Sequence, residues 1–96
     1  MTHAYVTDKR ALVKRLHRIE GQVRGIERMV EEERYCIDIL TQIGAVSTAL
    51  DSLAVKLLED HVSHCVTSAL ASGDVATAEA KGRELLEAVQ RFARTR

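Results

Sequence analysis

The sequence predicts an all-α protein, and three observations carry that prediction. The 96 residues contain no proline, which favours uninterrupted helices. Aromatic side chains are limited to two tyrosines and one phenylalanine, whereas residues of high helix propensity are abundant. Apolar residues recur at alternating spacings of three and four, the period of a helix face. A chain this short holds at most one domain, so residues 1–96 are expected to form a single domain.

The first helix is predicted to run from about Thr7 to Glu32. Thr7 is expected to be its N-cap, with Asp8 in the first turn, where a carboxylate is favourable. The acidic segment EEERY, residues 31–35, predicts the end of this helix. Its apolar seam consists of Leu12, Leu16, Ile19, Val23, Ile26 and Val30.

The second helix is predicted from about Cys36 to Leu70, and two apolar stripes indicate that it packs on two sides. The first stripe consists of Ile39, Ile43, Val46, Leu50, Leu53 and Leu57. The second follows Leu40, Ser47, Ala54 and Leu58. Ser72-Gly73-Asp74 predicts a stop and a restart, with Asp74 as the N-cap of a third helix. The apolar positions of that helix are Val75, Ala78, Leu85, Val89 and Phe92.

The formal net charge is zero, but the charge is unevenly distributed. Residues 1–30 carry seven basic and three acidic side chains, a net charge of +4. Such a segment is typical of nucleic-acid binding and also of a solvated helix face. The sequence shows no signal peptide and no membrane span, so a cytoplasmic protein without a membrane partner is expected. It shows no nucleophile–base pair and no phosphate loop, so neither an enzymatic activity nor a small-molecule substrate is expected.

Cys36, His61 and Cys65 on the second helix form the candidate metal-binding set. At about 100° per residue, His61 and Cys65 each return to within about 20° of Cys36, so all three are expected on one face. Along a continuous helix, however, about 37 Å separates Cys36 from His61. Metal–ligand bonds are only about 2.0–2.3 Å long. The set can therefore close only between two antiparallel copies of the helix. His64, about 80° from Cys36, is a poor candidate for that face.

The donor chemistry of this set favours a soft metal. Two thiolates and an imidazole suit Cu(I), zinc or an iron–sulfur cluster. Structural zinc takes four ligands and three converge here, which favours Cu(I). Other interpretations stay open, because a single buried cysteine is usually only a small apolar residue. The two cysteines could also sense oxidants through an interchain disulfide or polysulfide link, or the protein could carry copper without binding DNA.

The stretches RLHRIEGQVRGIERMVEEERYCIDILTQI and HVSHC closely resemble the bacterial copper-sensing transcriptional repressors of the CsoR family. The resemblance extends from about Lys9 to Val89. Cys36, His61 and Cys65 match the three Cu(I) ligands of that family one for one. The nickel/cobalt-sensing branch has histidine at the position of Cys65, the formaldehyde-sensing branch also lacks this cysteine, and the persulfide-sensing branch lacks the histidine matching His61.

The resemblance implies a three-helix protomer that pairs into an antiparallel four-helix-bundle dimer, and a homotetramer built as a dimer of dimers. It implies that the metal-free protein binds a GC-rich operator and that Cu(I) binding releases it, derepressing copper-resistance genes. Tyr35 and Glu84 match residues that support the copper site. Ser52 departs from the family pattern, because it stands where the family has a functionally important arginine. His3 resembles a ligand position of the nickel/cobalt-sensing branch. The DNA-binding residues implied are Lys14, Arg15 and Arg18, extended by Lys9 and Arg10.

Overall fold

Helices account for nearly all of residues 4–94, the part of the chain that the computed structural model describes. No strand occurs in this part, so the all-α prediction is confirmed. The elements in chain order are a 3-10 helix at Ala4–Asp8, α1 at Lys9–Glu31, α2 at Cys36–His61, a π-turn at Val62–Val66, α3 at Thr67–Ala71 and α4 at Val75–Arg94. They form three helical stretches, 4–31, 36–71 and 75–94. None of the helices within residues 4–94 combines the length and apolar character that crossing a membrane requires.

The start of α1 differs from the prediction that Thr7 caps it. Thr7 lies inside the 3-10 helix, and Asp8 occupies the N-cap position without a side-chain capping hydrogen bond. The Asp8 carboxylate instead forms an ion pair with Lys56, with 3.4 Å between Oδ2 and Nζ. The carboxylate is therefore engaged with α2 rather than with the first turn of α1.

The predicted break after α1 is confirmed and has a defined backbone. Glu33 adopts a left-handed conformation with φ of +56°. The Glu33 and Arg34 N–H groups donate to the carbonyls of Val30 and Met29 at 3.1 and 2.9 Å. This pattern is a Schellman-type ending, in which a left-handed residue allows the last helical carbonyls to be satisfied.

Residues 5–57 form one compact unit of the chain, containing α1 and most of α2. The Asp8–Lys56 ion pair joins the start of α1 to a late turn of α2, so α2 runs back along α1. Only three apolar side chains of this unit are buried within the chain, namely Leu12, Ile19 and Leu53. The rest of the two predicted seams remains partly or largely exposed.

The described residues from Leu58 onward belong to the second unit. Gly73 supplies the sharp stop between α3 and α4 because its φ of +76° is accessible to glycine at little cost. Asp74 Oδ1 accepts the Thr77 N–H at 3.2 Å, and Oδ2 accepts the Thr77 hydroxyl at 2.8 Å. The Thr77 hydroxyl and N–H hold the pKa of Asp74 below its usual value. The predicted stop and N-cap are therefore confirmed.

The prediction of one regular second helix is wrong between residues 62 and 66. The chain stays helical to Ala71, but Val62–Val66 forms a π-turn, in which hydrogen bonds span five residues instead of four. The Thr67 N–H donates to the carbonyls of Val62 and His64, and the Thr67 hydroxyl also donates to Val62 at 2.9 Å. A rotation of about 100° per residue therefore applies up to His61 but not across the π-turn to Cys65.

Candidate functional site

Cys36 is the first residue of α2 and is exposed. It follows the turn that ends α1, and the Tyr35 carbonyl accepts the N–H groups of Asp38 and Ile39 at 3.1 and 3.2 Å. Tyr35 therefore sits at the start of the helix, with its own side chain 66% exposed. The thiol of Cys36 is thus accessible from outside the chain.

His61 and Cys65 lie near each other in sequence at the other end of α2. His61 is the last residue of α2 and Cys65 belongs to the π-turn. Both side chains are half-buried, and neither forms a side-chain hydrogen bond within residues 4–94. Both cysteines of the chain are free thiols. Two thiols and one imidazole are therefore available as donors, which is a set that suits a soft metal.

The described residues of one chain do not form a complete metal site. Among residues 4–94, no group of three or more His, Cys, Asp or Glu side chains is placed to hold a metal ion. His64 lies on the π-turn but is exposed, and His3 lies outside the described residues. The described residues of one chain therefore bring no complete metal site together.

Glu84 on α4 forms an ion pair in this structure. Its Oε2 lies 3.5 Å from Lys81 Nζ, one turn earlier, and the Glu84 side chain is 59% exposed. No hydrogen bond joins Glu84 to His61 among the described residues. A role for Glu84 at the metal site would require its carboxylate to break the ion pair with Lys81 or to bind Lys81 and a residue of the site together.

The basic end of α1 presents its charges to solvent. Lys9, Arg10, Lys14 and Arg18 are exposed and Arg15 is half-buried. None of the five forms an ion pair with a described residue, and no acidic residue lies between positions 9 and 18. The neighbouring acid, Asp8, is paired with Lys56. Arg10, Lys14 and Arg18 follow one another at intervals of four, so they form a row along one side of the helix. Ser52, on α2, is exposed.

Sequence reasoning missed two residues that shape this region. Lys56 neutralises the acid next to the basic row, and Thr67 holds the π-turn that carries Cys65. Neither has a sequence signature. A charge 48 residues away in the sequence gives no sign of its partner. A threonine within a predicted helix is compatible with an ordinary hydrogen bond to the carbonyl four residues earlier.

Residues 8–91 of the chain match the metal-sensitive transcriptional repressor family. The chain is 53% identical over 93 residues to the copper-sensing transcriptional repressor RicR of Mycobacterium tuberculosis, covering 97% of this chain and 96% of that protein.

Two solved structures are also similar. The crystal structure of the copper-sensing repressor CsoR with Cu(I) from Geobacillus thermodenitrificans matches with a TM-score of 0.83 and 46% identity, covering 92% of this chain and 88% of the other. The nickel-responsive transcriptional regulator InrS matches with a TM-score of 0.77 and 46% identity, covering 86% and 90%. These two structures are equally identical to this chain, whereas the relative that is 53% identical is a copper-sensing repressor.

Proposed function

The chain belongs to the metal-sensitive transcriptional repressors, and we propose that it is a Cu(I)-responsive repressor. In this proposal the metal-free protein binds operator DNA in the cytoplasm, and Cu(I) binding releases the DNA and derepresses copper-resistance genes. The copper-sensing relatives support this function. The observation that carries it is the donor set of Cys36, His61 and Cys65, whose two free thiols and imidazole fit Cu(I).

The identity of Cys65 is what favours copper over nickel. The nickel/cobalt-sensing repressors carry a histidine at this position, and a thiol is the softer donor. His61 argues in the same way against a thiol sensor, because disulfide or polysulfide formation needs no imidazole. When bound, Cu(I) would supply a covalent link between the helices that carry its ligands. To bind the metal, the thiols of Cys36 and Cys65 must be deprotonated and the imidazole of His61 must be neutral. Cu(I) binding should therefore weaken as pH falls.

Self-association is part of the proposal, because one chain leaves much apolar surface uncovered. On α1, Val23 and Val30 are 48% and 59% exposed, and on α2 Leu40 and Leu50 are 59% and 46% exposed. Large apolar side chains exposed in such numbers indicate an interface. An antiparallel dimer through α2 would cover its exposed stripe and bring Cys36 of one chain to His61 and Cys65 of the other, giving two equal sites by symmetry. Two such dimers would form the homotetramer.

The DNA-binding surface is proposed to be the basic end of α1. Lys9, Arg10, Lys14, Arg15 and Arg18 are not engaged in ion pairs with described residues, so their charges are available to phosphates. A GC-rich operator duplex is the expected partner. For copper to lower DNA affinity about a hundredfold, the coupling between the two sites must reach about 2.7 kcal/mol. Linking Cys36, which is separated from α1 only by the turn at residues 32–35, to a second chain would change the spacing of the α1 helices across the dimer.

Glu84 is proposed to transmit metal binding to the DNA surface. Its carboxylate would accept a hydrogen bond from the N–H of the His61 ring nitrogen that does not bind the metal. A carboxylate at that nitrogen fixes the tautomer of a metal-bound imidazole and raises its basicity. Replacing Glu84 by alanine is expected to retain tight Cu(I) binding but to reduce DNA release by about tenfold. Operator binding with and without Cu(I) measures this. Lys81→Ala is the matched control, because it removes the ion-pair partner of the Glu84 carboxylate and should leave Cu(I)-dependent DNA release unchanged. If DNA release in Glu84→Ala equals that of the wild type, Glu84 does not transmit metal binding.

The function itself is tested by anaerobic titration of Cu(I) into the protein bound to a fluorescent operator duplex. We expect release to be complete at about one Cu(I) per chain, since each dimer has two sites. Nickel should not cause release. Release by a persulfide donor but not by Cu(I), with an interchain link on non-reducing electrophoresis, would instead establish the thiol-sensing alternative.

A further inference from the structure

The π-turn separates two of the proposed metal ligands. His61 is the residue before Val62–Val66, and Cys65 lies inside it. In an α-helix, four residues advance by about 400° and place the pair on neighbouring turns of one face. A π-turn contains more residues per turn, so the same four residues advance by a smaller rotation. The positions of the His61 and Cys65 donors relative to each other therefore depend on the type of turn.

Thr67 makes two hydrogen bonds across this turn to the same acceptor. Its hydroxyl donates to the Val62 carbonyl at 2.9 Å, and its backbone N–H is shared between this carbonyl and that of His64. The Val62 carbonyl is five residues earlier, the spacing of a π-turn. Thr41 in α2 shows the ordinary alternative, with its hydroxyl donating to Ile37, four residues earlier, at 3.0 Å. The Thr67 hydroxyl thus favours the widened turn over a regular one.

We propose that Thr67 is a positioning residue for the metal site, whose hydroxyl holds the π-turn in the form that sets the spacing of His61 and Cys65 for Cu(I). The inference rests on the proposed function. Short π-helical insertions in helices are uncommon and occur frequently at functional sites. Here the insertion begins directly after one donor, His61, and contains the other, Cys65, and a hydrogen bond from a side chain outside the donor set secures it. Without the hydroxyl, an α-turn competes with the π-turn, and the fraction of chains ready to bind falls.

The test compares Thr67→Val, Thr67→Ser and Thr41→Val in the full chain. Cu(I) affinity is measured anaerobically against a chromophoric Cu(I) chelator. Thr67→Val is expected to weaken Cu(I) binding by about tenfold, the effect of losing one intramolecular hydrogen bond. Thr67→Ser keeps the hydroxyl and should bind as the wild type does. Thr41→Val loses an ordinary hydroxyl bond in α2 and should also be unchanged.

A second measurement, made without metal, follows the turn itself. Amide hydrogen exchange at residues 62–67 should be faster in Thr67→Val and unaltered in Thr67→Ser and Thr41→Val. If the valine variant loses helical content by circular dichroism, Thr67→Ala takes its place, because alanine removes the hydroxyl and favours helix.

Wild-type affinity in the variants without the hydroxyl, or equal weakening in Thr67→Ser, would overturn the role of Thr67 while leaving the proposed function intact. Failure of the wild type to bind Cu(I) would instead reject the proposed function.

Discussion

Replacing Cys36 or Cys65 by serine is expected to weaken Cu(I) binding by more than about a hundredfold. Loss of residues that only support metal ligands costs about 10–100-fold, and loss of a thiolate ligand should exceed that. Because Cys36 is exposed and Cys65 only half-buried, neither change should unfold the chain. Competition with a Cu(I) chelator measures the affinity. Operator binding by the metal-free variants should match that of the wild type, so repression would persist in copper.

Two histidine variants of the same segment control for nonspecific loss of structure. His61→Ala should lose tight Cu(I) binding, whereas His64→Ala should retain it, since the exposed His64 is not in the donor set. If the two histidine variants bind Cu(I) equally well, or if either cysteine variant still releases DNA at wild-type Cu(I) concentrations, the donor set is wrong.

Reversing two charges at the basic end of α1 is expected to have the second large effect. The double change Lys14→Glu with Arg18→Glu should lower operator affinity by more than about a hundredfold at moderate salt, because it removes two phosphate contacts and adds two repulsive charges. The slope of log affinity against log salt concentration should decrease by about two. Fluorescence anisotropy at several salt concentrations measures both quantities.

The same helix supplies the control. Arg24→Glu with Arg28→Glu makes an identical change in charge at two exposed positions that also lie four residues apart. These arginines lie among Glu27 and Glu31 rather than in an acid-free stretch, so their reversal should alter operator binding little. Equal loss of affinity in both double variants would mean that net charge, and not the basic end of α1, determines DNA binding.

The helices and their boundaries were predictable from the sequence where a local signal decides them. Asp74 caps α4 through its own side chain, and Gly73 adopts the positive φ that a helix ending requires. The N-cap of α1 was predicted wrongly, since Thr7 lies in a 3-10 helix and the Asp8 carboxylate pairs with Lys56 of α2 rather than capping α1. A contact between residues so distant in sequence leaves no mark on the local pattern.

The candidate site was only partly predictable for a similar reason. The types and helical placement of Cys36, His61 and Cys65 follow from the sequence. The π-turn does not, because α- and π-turns differ only in which carbonyl an N–H reaches, and apolar spacing is nearly the same for both. The assumption of a regular helix therefore gave the wrong rotation between Cys36 and Cys65. The prediction of a site shared between two chains is unaffected, since it rests on the length of α2 up to His61.

The proposal that two chains share each Cu(I) site is tested most directly with complementary variants. One chain carries Cys36→Ala, and the other carries His61→Ala with Cys65→Ala. Each is prepared alone and, by co-expression with different affinity tags, as the mixed dimer. We expect neither variant alone to bind Cu(I) tightly, whereas the mixed dimer should bind about one Cu(I) per two chains, since only one of its two sites has all three donors. A mixed dimer without a tight site would contradict a shared site.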